Sequence, residues 1–255
     1  MTERIRAIVA AAAVLAMLPG IAQARGTVVL TYDDALPSQL DHAVPALDAA
    51  GLKATFFLSA VREADVPRWQ AVARRGHELA NHTIFHPCAA AKFPADPRFT
   101  SEAYTPATMI REIAQQNTLL RALDGRVRHG FATPCGEHLV GGEDYLEPLR
   151  AAHIVDYARG VSMSDAEVRA GSASVDEMHV PARGFAQGTT LDQLVAFAHA
   201  AEASGGWAVF LFHGIGGDQL SVDPATHRAF LAWLRQHRRT LDVTTLREAL
   251  GRGKK

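Results

Sequence analysis

The run Val28-Val29-Leu30-Thr31-Tyr32-Asp33-Asp34-Ala35 (VVLTYDDA) decides how this chain folds. It opens as an apolar strand of the kind that is buried on both faces, and it closes on two adjacent carboxylates. Two later runs repeat the arrangement. A strand around His77 to Ala80 leads into Asn81-His82-Thr83-Ile84-Phe85-His86-Pro87, and Trp207 to Phe212 (WAVFLF) leads into His213-Gly214-Ile215-Gly216. Between and around them, helical patterns run over Leu40 to Ala50, Trp69 to Arg75, Thr108 to Leu123, Tyr145 to Ala152, Leu191 to Ala203, Ala225 to Arg235 and Leu246 to Leu250. Further extended runs cover Ala54 to Leu58, Val127 to Ala132 and Ile154 to Ala158. Strands alternating with helices predict an α/β fold with a mostly parallel sheet, either a barrel or a doubly wound sheet. Functional residues in such folds sit at the C-terminal ends of strands, and all three quoted segments fall there.

The chain has 255 residues, 48% hydrophobic and 21% charged, with a formal charge of -1. That length suits one domain of barrel or doubly wound type, and the balanced charge predicts no strong attraction to nucleic acid or anionic membrane. The N-terminus reads as a targeting segment. Arg4 and Arg6 precede an apolar run from Ala7 to Leu18, Pro19-Gly20 breaks it, and Ala22-Gln23-Ala24 offers small residues for cleavage. Residues 1–24 are therefore expected to be a signal peptide, with a domain at 25–255 and a periplasmic or secreted mature protein. The alternative is an uncleaved membrane anchor, but the apolar run is shorter than the roughly 20 residues that span a bilayer. No other segment predicts a membrane span.

Asp33 and Asp34 are adjacent at a strand end, where successive side chains point opposite ways, so one can face a metal and the other a substrate. Alone, an Asp-Asp pair is more often a turn or helix cap. His82 and His86 are four residues apart, on one face of a helical turn or compact loop, a spacing at which neutral imidazoles chelate zinc and similar ions. His213 is held on a rigid strand end beside glycines. Such a histidine is more often structural, and it is the coincidence of all three segments that points to a metal-assisted hydrolase. His77 is expected to pack behind the metal strand, and His42, His199, His227 and His237 to be surface or core groups on helices.

On these residues the chain resembles the polysaccharide deacetylases, the NodB-homology group of carbohydrate esterase family 4. Their T-F-D-D-G, H-[ST]-x-x-H and L-x-H-x-x-G motifs are matched here by TYDDA, HTIFH and Leu211-Phe212-His213-Gly214-Ile215-Gly216. The resemblance spans Thr27 to Leu250 and implies a distorted (β/α) barrel that removes acetyl groups from sugars. It implies Asp34, His82 and His86 as metal ligands, Asp33 as general base and His213 as general acid. Zinc suits such a set first, with cobalt, nickel or manganese as alternatives. The metal would activate the water that attacks the acetyl carbonyl. The implied partner is an acetylated oligo- or polysaccharide, either N-acetyl glucosamine polymers or O-acetyl xylan-like chains. A non-catalytic metal- or glycan-binding descendant is the alternative.

The chain also departs from the family. Its R-x-P-x-G motif stands here as Ala132-Thr133-Pro134-Cys135-Gly136, without the arginine that orients the base, and Arg128 is one candidate replacement. The backbone amide of Cys135 remains able to donate to an oxyanion. The Asp-Trp motif has no clear counterpart, Asp176 being the nearest. The resemblance places Cys88 and Cys135 near one active site and the signal peptide implies an oxidising compartment, so a disulfide is expected, against two unpaired thiols. The loop from Ala89 to Tyr104 is a candidate groove wall. Phe93, Phe99, Tyr104 and Trp69 are candidates for stacking on sugars or, individually, for packing.

Overall fold

The computed structural model describes residues 25–93, 96–162 and 175–252. Residues 1–24, expected from the sequence to be a signal peptide, lie outside the described residues. Among the described residues ten strands run β1 (Gly26–Asp33), β2 (Thr55–Leu58), β3 (Glu78–Asn81), β4 (His129–Ala132), β5 (Leu139–Val140), β6 (Glu143–Asp144), β7 (Val155–Arg159), β8 (Arg183–Gly184), β9 (Trp207–Phe212) and β10 (Leu241–Thr244). Helices among the described residues are α1 (Val44–Ala50), α2 (Val66–Arg74), α3 (Pro106–Asp124), α4 (Leu146–Ala152), α5 (Leu191–Ser204), α6 (Pro224–Gln236) and α7 (Leu246–Arg252). The main sheet has the order β7-β4-β3-β2-β1-β9-β8, with β10 beside the first half of β1. Every pairing in it is parallel. With helices packed outside it, the sheet forms a distorted (β/α) barrel of the NodB type, the architecture expected from the sequence.

The period of two along each strand sorts residues between two cores. Val28, Leu30 and Tyr32 of β1, Phe56 and Leu58 of β2, and Phe210 and Phe212 of β9 face outward and pack with Leu47, Trp69, Leu194 and Phe230 from the helices. Val29, Phe57, Ala80, Ala132, Tyr157, Val209 and Leu211 form a separate cluster facing inward. Extending the inward phase to the strand ends carries it to Asp33, His82, Arg159 and His213. Burial of Trp69 in the outer core excludes it as a sugar platform.

The helices end where their sequences say they should. Thr105 and Thr190 close capping boxes on α3 and α5, and Gly205, at φ 63°, takes the left-handed position that stops α5. The first expected helix differs. Gln39–Ala43 winds as a π turn before α1 begins, because the buried Gln39 amide turns inward to the carbonyls of Asp33 (2.5 Å) and His213 (3.1 Å). The two-residue strands β5, β6 and β8 carry too few residues to show a sequence pattern, and strand β10 was not anticipated from the sequence.

Candidate active site

The three motif segments meet at the C-terminal mouth of the sheet. Asp33 ends β1 and is almost completely buried. Asp34 follows at φ 80°, a left-handed conformation that turns the chain away from the strand. The expected opposite orientation of the two carboxylates does not hold as a result. Asp33 Oδ2 lies 3.6 Å and Asp34 Oδ1 3.5 Å from the same atom, His82 Nε2. His82 and His86 are brought together by a compact loop in which Thr83 (φ 62°) and His86 (φ 53°) are left-handed. Asn81 Oδ1 accepts the Thr83 amide, and Thr83 Oγ1 accepts the His86 amide, so the loop is braced from within.

The donor atoms form a tight triangle. His82 Nε2 is 3.0 Å from His86 Nε2, and Asp34 Oδ1 is 3.5 and 3.6 Å from the two nitrogens. Ligands held about 2.0–2.1 Å from a tetrahedral ion stand about 3.3 Å apart, so the set fits a zinc-sized cation. The second shell fits too. His82 Nδ1 is 2.9 Å from the Ala132 carbonyl, which fixes the tautomer that leaves Nε2 free. Burial and the neighbouring His82 push His86 down to about 4, so it is a neutral imidazole at neutral pH. His213 Nε2 lies 4.0 Å from Asp34 Oδ2 across the mouth.

The expected disulfide is present between Cys88 and Cys135, with Cα atoms 5.7 Å apart. It ties the segment after His86 to the loop after β4, and Cys88 Sγ is 3.4 Å from His86 Nδ1. Cys135 stands at φ 52°, so Pro134–Gly136 keeps a turned shape without the motif arginine.

A basic group reaches Asp33 from elsewhere. Arg159, the last residue of β7, is fully buried, and its Nη2 donates to both Asp33 oxygens, 2.5 Å to Oδ2. Burial pushes the Asp33 carboxyl up, but Arg159, then His82 and His213, outweigh it and hold the group below the usual carboxylate range. Sequence reasoning missed Arg159. Arg128, offered in its place, stands at the other end of β4, half exposed, paired with Asp156 at 3.1 Å. Asp176, the nearest counterpart of the Asp-Trp motif, pairs with Arg150 on the surface at 2.9 Å.

The remaining expectations divide. His77 is buried, 3.1 Å from Asp48, and His227 is buried against the Tyr32 hydroxyl at 2.7 Å, so both are core groups. Tyr104 is tied inward through its hydroxyl to Glu112 and does not line the mouth. Phe93 is exposed, and Phe99 stacks under Phe85 at 4.1 Å between ring centroids. Phe85, between the two histidines, is 51% exposed and is an aromatic surface that the sequence reading passed over.

The family sequence model described as polysaccharide deacetylase matches residues 21–147. The chain belongs to the polysaccharide deacetylase family, in the NodB-homology group. No curated protein matches it. Among solved structures it is similar to a Mycobacterium smegmatis protein provisionally classed as a polysaccharide deacetylase (17% identity, 93% of each chain, TM-score 0.65). It is also similar to a peptidoglycan deacetylase of Bacillus subtilis (15% identity, 90% of this chain and 92% of that one, TM-score 0.58). A third is a family 4 acetyl xylan esterase of Clostridium thermocellum, whose structure holds a cobalt ion (19% identity, 88% and 90%, TM-score 0.53). At these identities the likeness is one of fold.

Proposed function

We propose that this protein is a metal-dependent deacetylase of acetylated carbohydrate. The observation that carries the reading is the donor triangle of Asp34, His82 and His86, with Asp33 and His213 at its rim. Two imidazoles and a carboxylate would hold a divalent ion, zinc first and cobalt, nickel or manganese next, and leave one side open. Bound there, the ion would acidify water and polarise an acetyl carbonyl.

The chain's own groups supply the proton chemistry. Asp33, ionised and held by Arg159, accepts the proton of the attacking water at a carboxylate oxygen. The Cys135 amide donates to the carbonyl oxygen as negative charge gathers on it, and the disulfide keeps that amide's loop beside His86. His213 passes a proton to the departing sugar nitrogen or oxygen. Residues 1–24 direct export to the periplasm or beyond, leaving the domain from 25 onward as the mature protein; no helix among the described residues is long and apolar enough to cross a membrane. The non-catalytic alternative drew on Ala132, and the Arg159 guanidinium on Asp33 supports the catalytic reading over it.

The test is acetate release from N-acetyl chitooligosaccharides, peptidoglycan and acetylated xylan, by metal-stripped protein before and after zinc is added. Zinc-dependent release is expected, and the preferred substrate separates amide from ester. Folded, zinc-loaded protein that releases acetate from none of them would sink the reading.

A further inference from the structure

We infer that Arg159 is the positioning residue of the base, a role delivered to Asp33 from β7 across the barrel interior. The inference rests on the reading of Asp33 as the base, and the geometry supports it in five ways.

Arg159 is fully buried and its Nη2 spans both oxygens of Asp33, which fixes rotation of the carboxylate. The guanidinium lies 4.8 Å over the Phe57 ring, so it is supported from the neighbouring inward position as well. Its backbone is clamped on both sides: the Thr133 amide donates to its carbonyl at 3.0 Å, and the Arg159 position bridges to Val180.

The other guanidinium donors, Nε and Nη1, are buried with no hydrogen-bond partner among the described residues. An arginine kept for stability alone would satisfy them or give way to an apolar residue, because burying a charged group costs several kcal/mol. Here the whole polar yield of the side chain goes to one carboxylate.

The register supplies the last argument. Arg159 of β7 is the direct partner of Ala132 on the adjacent parallel strand, so the two side chains share the inward face. Ala132 is buried in the inward cluster, and its methyl side chain reaches no farther than Cβ, so the one long side chain at this pair of positions is that of Arg159. Positions 132 and 159 are thus two neighbouring roots from which a single guanidinium can reach Asp33.

This predicts that the arginine can be moved. Arg159→Met is expected to lower kcat about 10²–10³-fold, with KM changed less than about threefold and zinc still bound. The transposed variant, Ala132→Arg with Arg159→Ala, is expected to recover at least about tenfold over Arg159→Ala alone. Thermal unfolding and zinc content establish that each variant is folded and loaded. Arg159→Met retaining wild-type kcat, or a folded, zinc-loaded transposed variant no better than Arg159→Ala, overturns the inference. Should Arg159→Met fail to fold, the transposed variant against wild type decides alone: kcat within about tenfold supports the role and absence of turnover overturns it. If wild-type protein releases no acetate at all, the functional reading has failed instead. Crystal structures of wild type and the transposed variant then carry the test. An Asp33 carboxylate held in its wild-type orientation by the guanidinium introduced at position 132 supports positioning, and one turned away from that guanidinium overturns it.

Discussion

Asp33 and Asp34 are the same side chain one residue apart, and backbone conformation separates their work. Asp33 keeps the strand's inward phase and is buried against Arg159, whereas Asp34, at φ 80°, swings into the donor triangle. The separation is testable by single substitutions. Asp33→Asn is expected to keep zinc and to lose about 10²–10⁴-fold in turnover. His82→Ala is expected to lose the zinc itself, as measured by metal content after dialysis. Deeper in the molecule, burial, with Arg228 adding to it, lowers His227 from 6.5 to about 3. The folded chain therefore binds fewer protons than the unfolded one between these values. The stability this contributes is complete above pH 6.5 and drains away as pH falls toward 3. Urea midpoints taken from pH 7 to pH 4 should fall. His227→Gln, which keeps a partner for Tyr32, should flatten that fall by up to about 1.4 kcal/mol per pH unit. An unchanged slope would mean that another group controls acid unfolding.

At the scale of elements, the loops after β3 and β4 are the parts that a sheet alone would leave loose. The Cys88–Cys135 bond joins them across a sequence separation of 47. The chain-entropy account gives such a closure about 4 kcal/mol. The double variant Cys88→Ala, Cys135→Ala should lose stability of that order in denaturant unfolding, and unfolded, unreduced wild-type protein should show no titratable thiol. The loop after β1 is fastened in a second way, through Gln39 on the carbonyls of Asp33 and His213 and through Ser38, whose hydroxyl contacts Gly217 and Ile215. The π turn at Gln39 was not legible because its winding answers to those distant carbonyls. Strand β10, Leu241–Thr244, was also missed; it lies against the first half of β1. The longer elements were legible because their periodicity and caps are local, as in α5, bounded by Thr190 and Gly205.

For the whole molecule, the site is a property of barrel closure. Inward-phase residues of β1, β3, β7 and β9 converge only because the sheet curls, and a ligand that binds the converged donors stabilises the curled state. Zinc at a hundredfold excess over its dissociation constant should add about 2.7 kcal/mol. Stripped protein should therefore melt several degrees below zinc-loaded protein in calorimetry. Equal melting temperatures would argue that the ion does not bind the folded donor set.

What the sequence by itself determined is the alternation of the longer strands and helices and the chemistry waiting at three strand ends. Those follow from local periodicity and residue type, which need no knowledge of distant neighbours. The tertiary structure alone decided that Arg159 rather than Arg128 reaches Asp33, that Asp176 pairs with Arg150 on the surface, and that both aspartates face His82. Each depends on which strand becomes the neighbour of which, and on a single backbone angle at Asp34. Pairings between residues over a hundred positions apart leave no periodic trace in the chain, because they are fixed by how the sheet closes.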